Sequence, residues 1–144
     1  MTDRSPNDST GILIPRACKT IGTLVQVLLP SIKMKSHSPR GVSFEKEFHD
    51  FLLCHFGGYT VTAGSITGYW LKADRSEECN EHREYQIAIS NSEHLARLHE
   101  YLATLARQLK ERTIFGTLNG TAFLINAARS KAKPHNALKR IHPK

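Results

Sequence analysis

Apolar residues in this chain come in short runs whose period changes along the sequence. Leu24, Val25, Val27, Leu28 and Leu29 form a nearly continuous run, interrupted by Gln26 and closed by Pro30. The run is too short for a stable helix and is rich in residues that suit a pleated surface. It predicts a first strand, and apolar groups on both of its sides predict a place mid-sheet with both faces covered. Upstream, Ile12 to Ile14 offer a short extended piece that Pro15 confines to an edge. Lys33 to Gly41 contains Ser36, His37, Ser38 and Pro39 and reads as a loop.

The period then lengthens. Phe44, Phe48, Phe51, Leu52 and His55 recur at helical spacing and share one face. Ser43 is suited to cap that helix, and Glu45 falls in its first turn, where the positive end of the helix dipole favours a carboxylate. Gly57 and Gly58 stop it. Tyr59 to Thr62 and Thr67 to Leu71 are β-branched and aromatic, separated by Ala63, Gly64 and Ser65. They predict a bent or bulged second strand. The charge-dense stretch Asp74 to Glu81 reads as a turn.

From Arg83 to Ile89 the pattern alternates, with Tyr85, Ile87 and Ile89 on one face and Gln86 and Ala88 on the other, which predicts a third strand. Ser90, Asn91 and Ser92 supply caps for a long helix in which Leu95, Leu98, Leu102, Leu105 and Leu109 keep steps of three and four. Thr113 to Leu118 and Thr121 to Ile125 follow, joined by Asn119-Gly120. That dipeptide between apolar runs signals a hairpin, or else a bulge within one long strand.

The order of elements predicts an α+β fold, a ferredoxin-like βαββαβ sandwich with an antiparallel sheet, two helices on one face and an extra C-terminal hairpin strand. The predicted α+β domain spans 21–126, after a disordered or loosely packed segment over 1–20 and before a basic flexible tail over 127–144. The other sheet face stays open in such a sandwich. Leaving large apolar side chains wet there costs about 25 cal/mol per Å². A second copy of the chain is therefore expected to cover it, giving a homodimer, with the N-terminal segment folding back as the alternative.

Composition sharpens the class. The chain has 144 residues, 40% of them apolar and 23% charged, which suits one globular domain and excludes collagenous, wholly disordered and membrane-spanning chains. Its net charge of +7 belongs to the ends: residues 1–40 carry +4, residues 41–126 carry −3 and residues 127–144 carry +6. Phosphate contacts would then come from the tail, through Arg129, Lys131, Lys133, Lys139, Arg140 and Lys144, and nucleic acid is a partner to be tested on those grounds. Cys18, Cys54 and Cys79 are an odd count at wide spacing, which argues against a disulfide framework and for a reducing, cytoplasmic compartment. Thr20 to Ile32 is too short for a membrane helix and ends without a cleavage site, so no membrane partner is expected.

Candidate chemistry is sparse. His49, Asp50, Cys54 and His55 lie close in sequence, yet His49 points about 100° away from Asp50 around a helix, so a shared metal is not expected. Cys79 and His82 have half of a zinc spacing without the other half. Glu77, Glu78, Glu81 and Glu84 offer carboxylates in a hydrophilic stretch where solvation opposes the raised pKa of a general acid. No catalytic, metal or cofactor residue is assigned. Tyr69, Trp70 and Tyr85 are the candidate ligand contacts on the open sheet face.

Two resemblances follow from these residues. Gly41-Val42-Ser43-Phe44, between a strand and a helix, resembles the phosphate loop of acylphosphatases. That family places Arg after the Phe, whereas Glu45 stands here and would repel phosphate. Leu29-Pro30, Phe56-Gly57-Gly58-Tyr59-Thr60, Gly68-Tyr69-Trp70 and Tyr85 together resemble small uncharacterised bacterial α+β proteins with the same pattern over about residues 22–126. The second resemblance implies the fold and no activity. RNA-recognition modules share the topology, but the third strand lacks their aromatic signature. The sequence favours a non-enzymatic interaction module that self-associates through the open sheet face. The alternatives are weakly selective nucleic-acid association through the basic tails, and a small-ligand-binding protein or enzyme using the open face.

Overall fold

The structure, a computed structural model, describes residues 15–129. Its elements are β1 (Thr23–Pro30), α1 (Ser31–Met34), α2 (Phe44–Phe56), β2 (Thr60–Val61), β3 (Ile66–Leu71), β4 (Glu77–Ile89), α3 (Ser92–Gln108), β5 (Thr113–Leu118) and β6 (Thr121–Asn126). The proposed edge piece at Ile12–Ile14 lies outside the described residues. All strand pairs are antiparallel, in the order β2-β4-β1-β5-β6, with β3 also on β4. The protein is thus an α+β fold built on one six-stranded sheet.

Local chemistry accounts for the element ends. Ser43 Oγ accepts from the Lys46 amide at 3.1 Å, and Gly57 closes α2 in the left-handed conformation at φ 80°. A residue with a Cβ would be strained there. At α3 the cap among the three candidates is Asn91, whose side chain accepts from the His94 amide at 2.8 Å. Asn119 and Gly120 both take positive φ, at 55° and 78°, and so join β5 and β6 in a tight hairpin.

The helices cover one sheet face only. Val25, Val27 and Leu29 of β1 pack with Tyr85, Ile87 and Ile89 of β4, Ile114 of β5 and Ile125 of β6. Phe44, Phe48 and Leu52 of α2 and Leu98, Leu102 and Leu105 of α3 close over them. Strand β1 lies between β4 and β5, a central position, but its second face is not sealed. Leu24 is 48% exposed, while Gln26 and Leu28 are half-buried.

Two expectations are corrected here. The stretch Asp74–Glu81 is not wholly a turn: the reversal is complete by Ser76, and Glu77–Glu81 begin a thirteen-residue β4. These residues pair with β3 in an arm whose side chains alternate between exposed and half-buried, so no apolar period is needed to hold it. The loop expected over Lys33–Gly41 also gives up its first two residues to the short α1, Ser31–Met34, which buries Met34 and Ser31.

Candidate functional site

Residue parity along paired strands decides what the open face presents. Tyr85 sits opposite Val27 and therefore points with it towards α2, where Phe48 meets its ring at a centroid distance of 5.0 Å. Its phenol is pushed up to about 12 by burial, reinforced by the nearby Glu45 carboxylate. Burial, with help from Glu45, raises Tyr59 in the same direction; its hydroxyl lies 2.8 Å from His49 Nδ1. Tyr69 is 68% exposed and does not line the cleft described below. Of the three expected ligand contacts only Trp70 does, because residues one position apart on a strand face opposite ways.

The open face has two unlike halves. Near its middle, Gln26 and Gln86 each donate to Glu84 Oε2, at 3.2 and 2.8 Å, and Thr117 Oγ donates to Gln26 Oε1 at 2.8 Å. This network crosses three strands and fixes a carboxylate on the sheet. Towards the β3–β4 arm the surface becomes aromatic. Trp70 lies edge-on to His82 at 6.3 Å and 82°, and tilted against Phe115 at 5.9 Å.

A cleft of about 630 Å³ opens over this aromatic end. Leu28, Trp70, His82, Phe115 and Leu124 supply its apolar and aromatic lining, with Glu78 and Asn80 beside them. One bank is the arm's tip, Lys72 to Asp74, and the other is the stretch from Lys110 to Thr113 that leads into β5. Lys33 pairs with Glu111, and Lys72 lies 4.0 Å from Glu78. Ser76 holds the Asp74 carboxyl below its ordinary range by donating from both hydroxyl and amide.

Two side-chain atoms among the described residues are buried with no hydrogen-bond partner, Ser31 Oγ and His82 Nδ1. His82 is only 7% exposed, yet it forms part of the cleft wall. Gly68 makes room for it: a Cβ there would lie 3.3 Å from the Trp70 ring and 3.4 Å from His82 Cε1. The Gly68-Tyr69-Trp70 motif therefore lets an indole fold back over the strand towards an imidazole.

The remaining candidates are scattered. Cys79 is exposed and His82 buried, on opposite sides of β4, so they cannot share a ligand. Among the described residues no three His, Cys, Asp or Glu side chains stand close enough to hold a metal. Arg129 is exposed, and its carbonyl accepts from Arg107 at 3.3 Å. Lys131, Lys133, Lys139, Arg140 and Lys144 lie outside the described residues. No helix among the described residues is long and apolar enough to cross a membrane.

No family model matches the chain, and no curated protein matches it. Among solved structures, a phage SAM lyase in complex with S-methyl-5'-thioadenosine superposes with a TM-score of 0.50 at 9% identity. The match covers 83% of this chain and 100% of that one. A phage SAM lyase in its apo state gives 0.48, also at 9% identity. The expectation of a non-enzymatic module self-associating through the open sheet face is thereby corrected. The fold is similar to that of an enzyme, and the face, expected to carry apolar groups on β1 that a second copy would cover, carries a polar network and a cleft.

Proposed function

We propose that this protein is a small-molecule-binding enzyme that takes its ligand in the cleft between the β3–β4 arm and the start of β5. The observation that carries this reading is the cleft's composition. Aromatic faces suit a flat ring, and a few polar groups placed among them suit its orientation, the usual make-up of a small-molecule site. The ligand class we favour is a 5′-thio-substituted adenine nucleoside, the kind of molecule bound by the similarly folded phage lyase. Trp70 and Phe115 would supply the flat surface, and Glu78 and Asn80 hydrogen bonds at the rim.

The finer fold reading belongs with this proposal: a ferredoxin-like sandwich in which β2 and β3 share the role of one strand and β6 is added at the edge. A reducing, cytoplasmic setting agrees with Cys18, Cys54 and Cys79 all being free and exposed.

Trp70 is the chain's only tryptophan, so its emission reports on the cleft directly. Titration with S-methyl-5'-thioadenosine and S-adenosylmethionine is expected to change that emission saturably, and Phe115→Ala to weaken binding at least tenfold. Chromatography of incubated S-adenosylmethionine would reveal turnover. An emission that stays flat with both compounds, with no product formed, refutes the proposal.

A further inference from the structure

His82 is an expensive residue to keep where it stands. Its ring is sealed between Trp70 and the sheet, and Nδ1 has neither solvent nor a protein partner. A buried polar atom in that condition destabilises the free protein by its lost hydration. Leucine or phenylalanine would pack the same space without that penalty. Nearby charge does not explain the residue either, because the ion pairs of the cleft engage Lys33, Glu111, Lys72 and Glu78 and leave the imidazole out.

The other features of the molecule carry less. The groove between α2 and α3 is lined by Phe51, His55, Arg97 and Tyr101, and its polar atoms already meet one another, as in the 3.2 Å contact of Arg97 with His55 Nδ1. The apolar groove along α3 and β6 has nothing beside it that identifies an occupant.

We infer that His82 is the specificity-determining residue of the cleft: its imidazole exchanges a hydrogen bond with a nitrogen or oxygen on the edge of a flat heteroaromatic ligand. This inference rests on the cleft being the ligand site. A ligand ring lying against Trp70 would present its edge towards the imidazole, since the indole and imidazole planes stand nearly perpendicular at 82°. Gly68 serves the same arrangement, because a side chain there would crowd both rings. Nδ1 is out of reach while the indole covers it, so ligand binding is expected to shift the Trp70 ring and give a partner to the atom that folding leaves unsatisfied. The imidazole can donate or accept according to its tautomer, so it can meet either polarity of ring edge.

Removing the imidazole therefore has effects of opposite sign on stability and on binding. His82→Phe and His82→Leu are expected to raise the melting temperature of the free protein by about 3 °C or more. The same variants are expected to weaken S-methyl-5'-thioadenosine binding, read from Trp70 emission, at least tenfold. His82→Asn sets an amide group near the position of Nδ1 and is expected to keep binding within about threefold of the original. A residue with a purely structural role would lose stability and affinity together, and that result in both His82→Phe and His82→Leu overturns the inference. Undiminished binding in either variant overturns it too, and leaves the cleft as the ligand site. Failure of the unsubstituted protein to bind removes the cleft reading and this inference with it.

Discussion

Gly116 offers a sharp test of how tightly this sheet is built. It sits on β5 opposite Val27 of β1 and Phe123 of β6, on the face the helices cover. A Cβ at that position would lie 2.7 Å from Phe123 Cζ and 2.8 Å from the Gln26 carbonyl oxygen. The two clashes differ in kind. The phenyl ring can swing away, whereas the carbonyl belongs to a strand held on both sides by β4 and β5. Overpacking of a well-filled interior typically costs about 1–3 kcal/mol, and the immovable carbonyl places Gly116→Ala near the middle of that range, at about 2 kcal/mol. For a chain of this size that corresponds to a melting temperature lowered by roughly 6–8 °C. Urea denaturation followed by far-ultraviolet circular dichroism measures it. In a Phe123→Leu background the ring clash is gone and the carbonyl clash stays, so Gly116→Ala is still expected to cost about 1 kcal/mol in the double-mutant cycle. A single variant within about 0.5 kcal/mol of the original, or a cost that vanishes with Phe123→Leu, would show that the close approach of β1 and β5 is not rigid.

Other expectations are simpler to state. Ser43→Ala and Asn91→Ala each remove a helix cap and should cost about 1 kcal/mol in the same denaturation assay. Phe48→Ala empties a site where Tyr85 and Tyr101 meet the ring at 5.0 and 5.5 Å, and should cost about 3–5 kcal/mol. Tyr85 and Tyr101 are both held up at about 12, chiefly by burial, so each keeps its proton in the folded state when the unfolded chain has already lost it. Their contribution to stability is intact below pH 10 and is lost as pH rises through 12; ultraviolet titration should show two phenols ionising near the upper value, and Tyr85→Phe should flatten the fall.

The parts of the fold that were legible from sequence are those whose rules are local. Ser43, Gly57, Asn91 and Asn119-Gly120 each act within a few residues of themselves, and the helix and hairpin ends fall where they stand. The second half of β4 was legible from its alternation over Arg83–Ile89, but its first half escaped because Glu77 to Glu81 lie in an arm that buries little, so hydrogen bonding to β3 replaces the apolar alternation that reveals a strand. Central placement of β1 followed from its apolar run, but the cover that the run predicted over its second face is not there, and Leu24 stays exposed. Gln26 interrupts that run, and the pattern held no sign that Glu84, Gln86 and Thr117 would meet it.

The cleft was hidden for a related reason. Trp70, His82 and Phe115 stand on three different strands; the β3–β4 register, Ile66 with His82 and Trp70 with Glu78, and the β1–β5 register, Val27 with Gly116, together bring them to one surface. Tyr69 and Tyr85 look equivalent to Trp70 in a list of aromatic residues, and parity alone separates them. Read in sequence, His82 suggested only a weak pairing with Cys79, which the pleat forbids.

Strand β4 gives the molecule a mechanical property. Its first residues carry Glu78, Asn80 and His82 at the cleft, and its last carry Tyr85, Ile87 and Ile89 in the core, along one uninterrupted ladder against β3 and then β1. No glycine or proline breaks the backbone between the two stretches. A molecule that stiffens the arm therefore has no pivot at which its effect could be absorbed, and slower amide exchange should spread from Asn80 towards Ile87, reaching the interior without any change of shape.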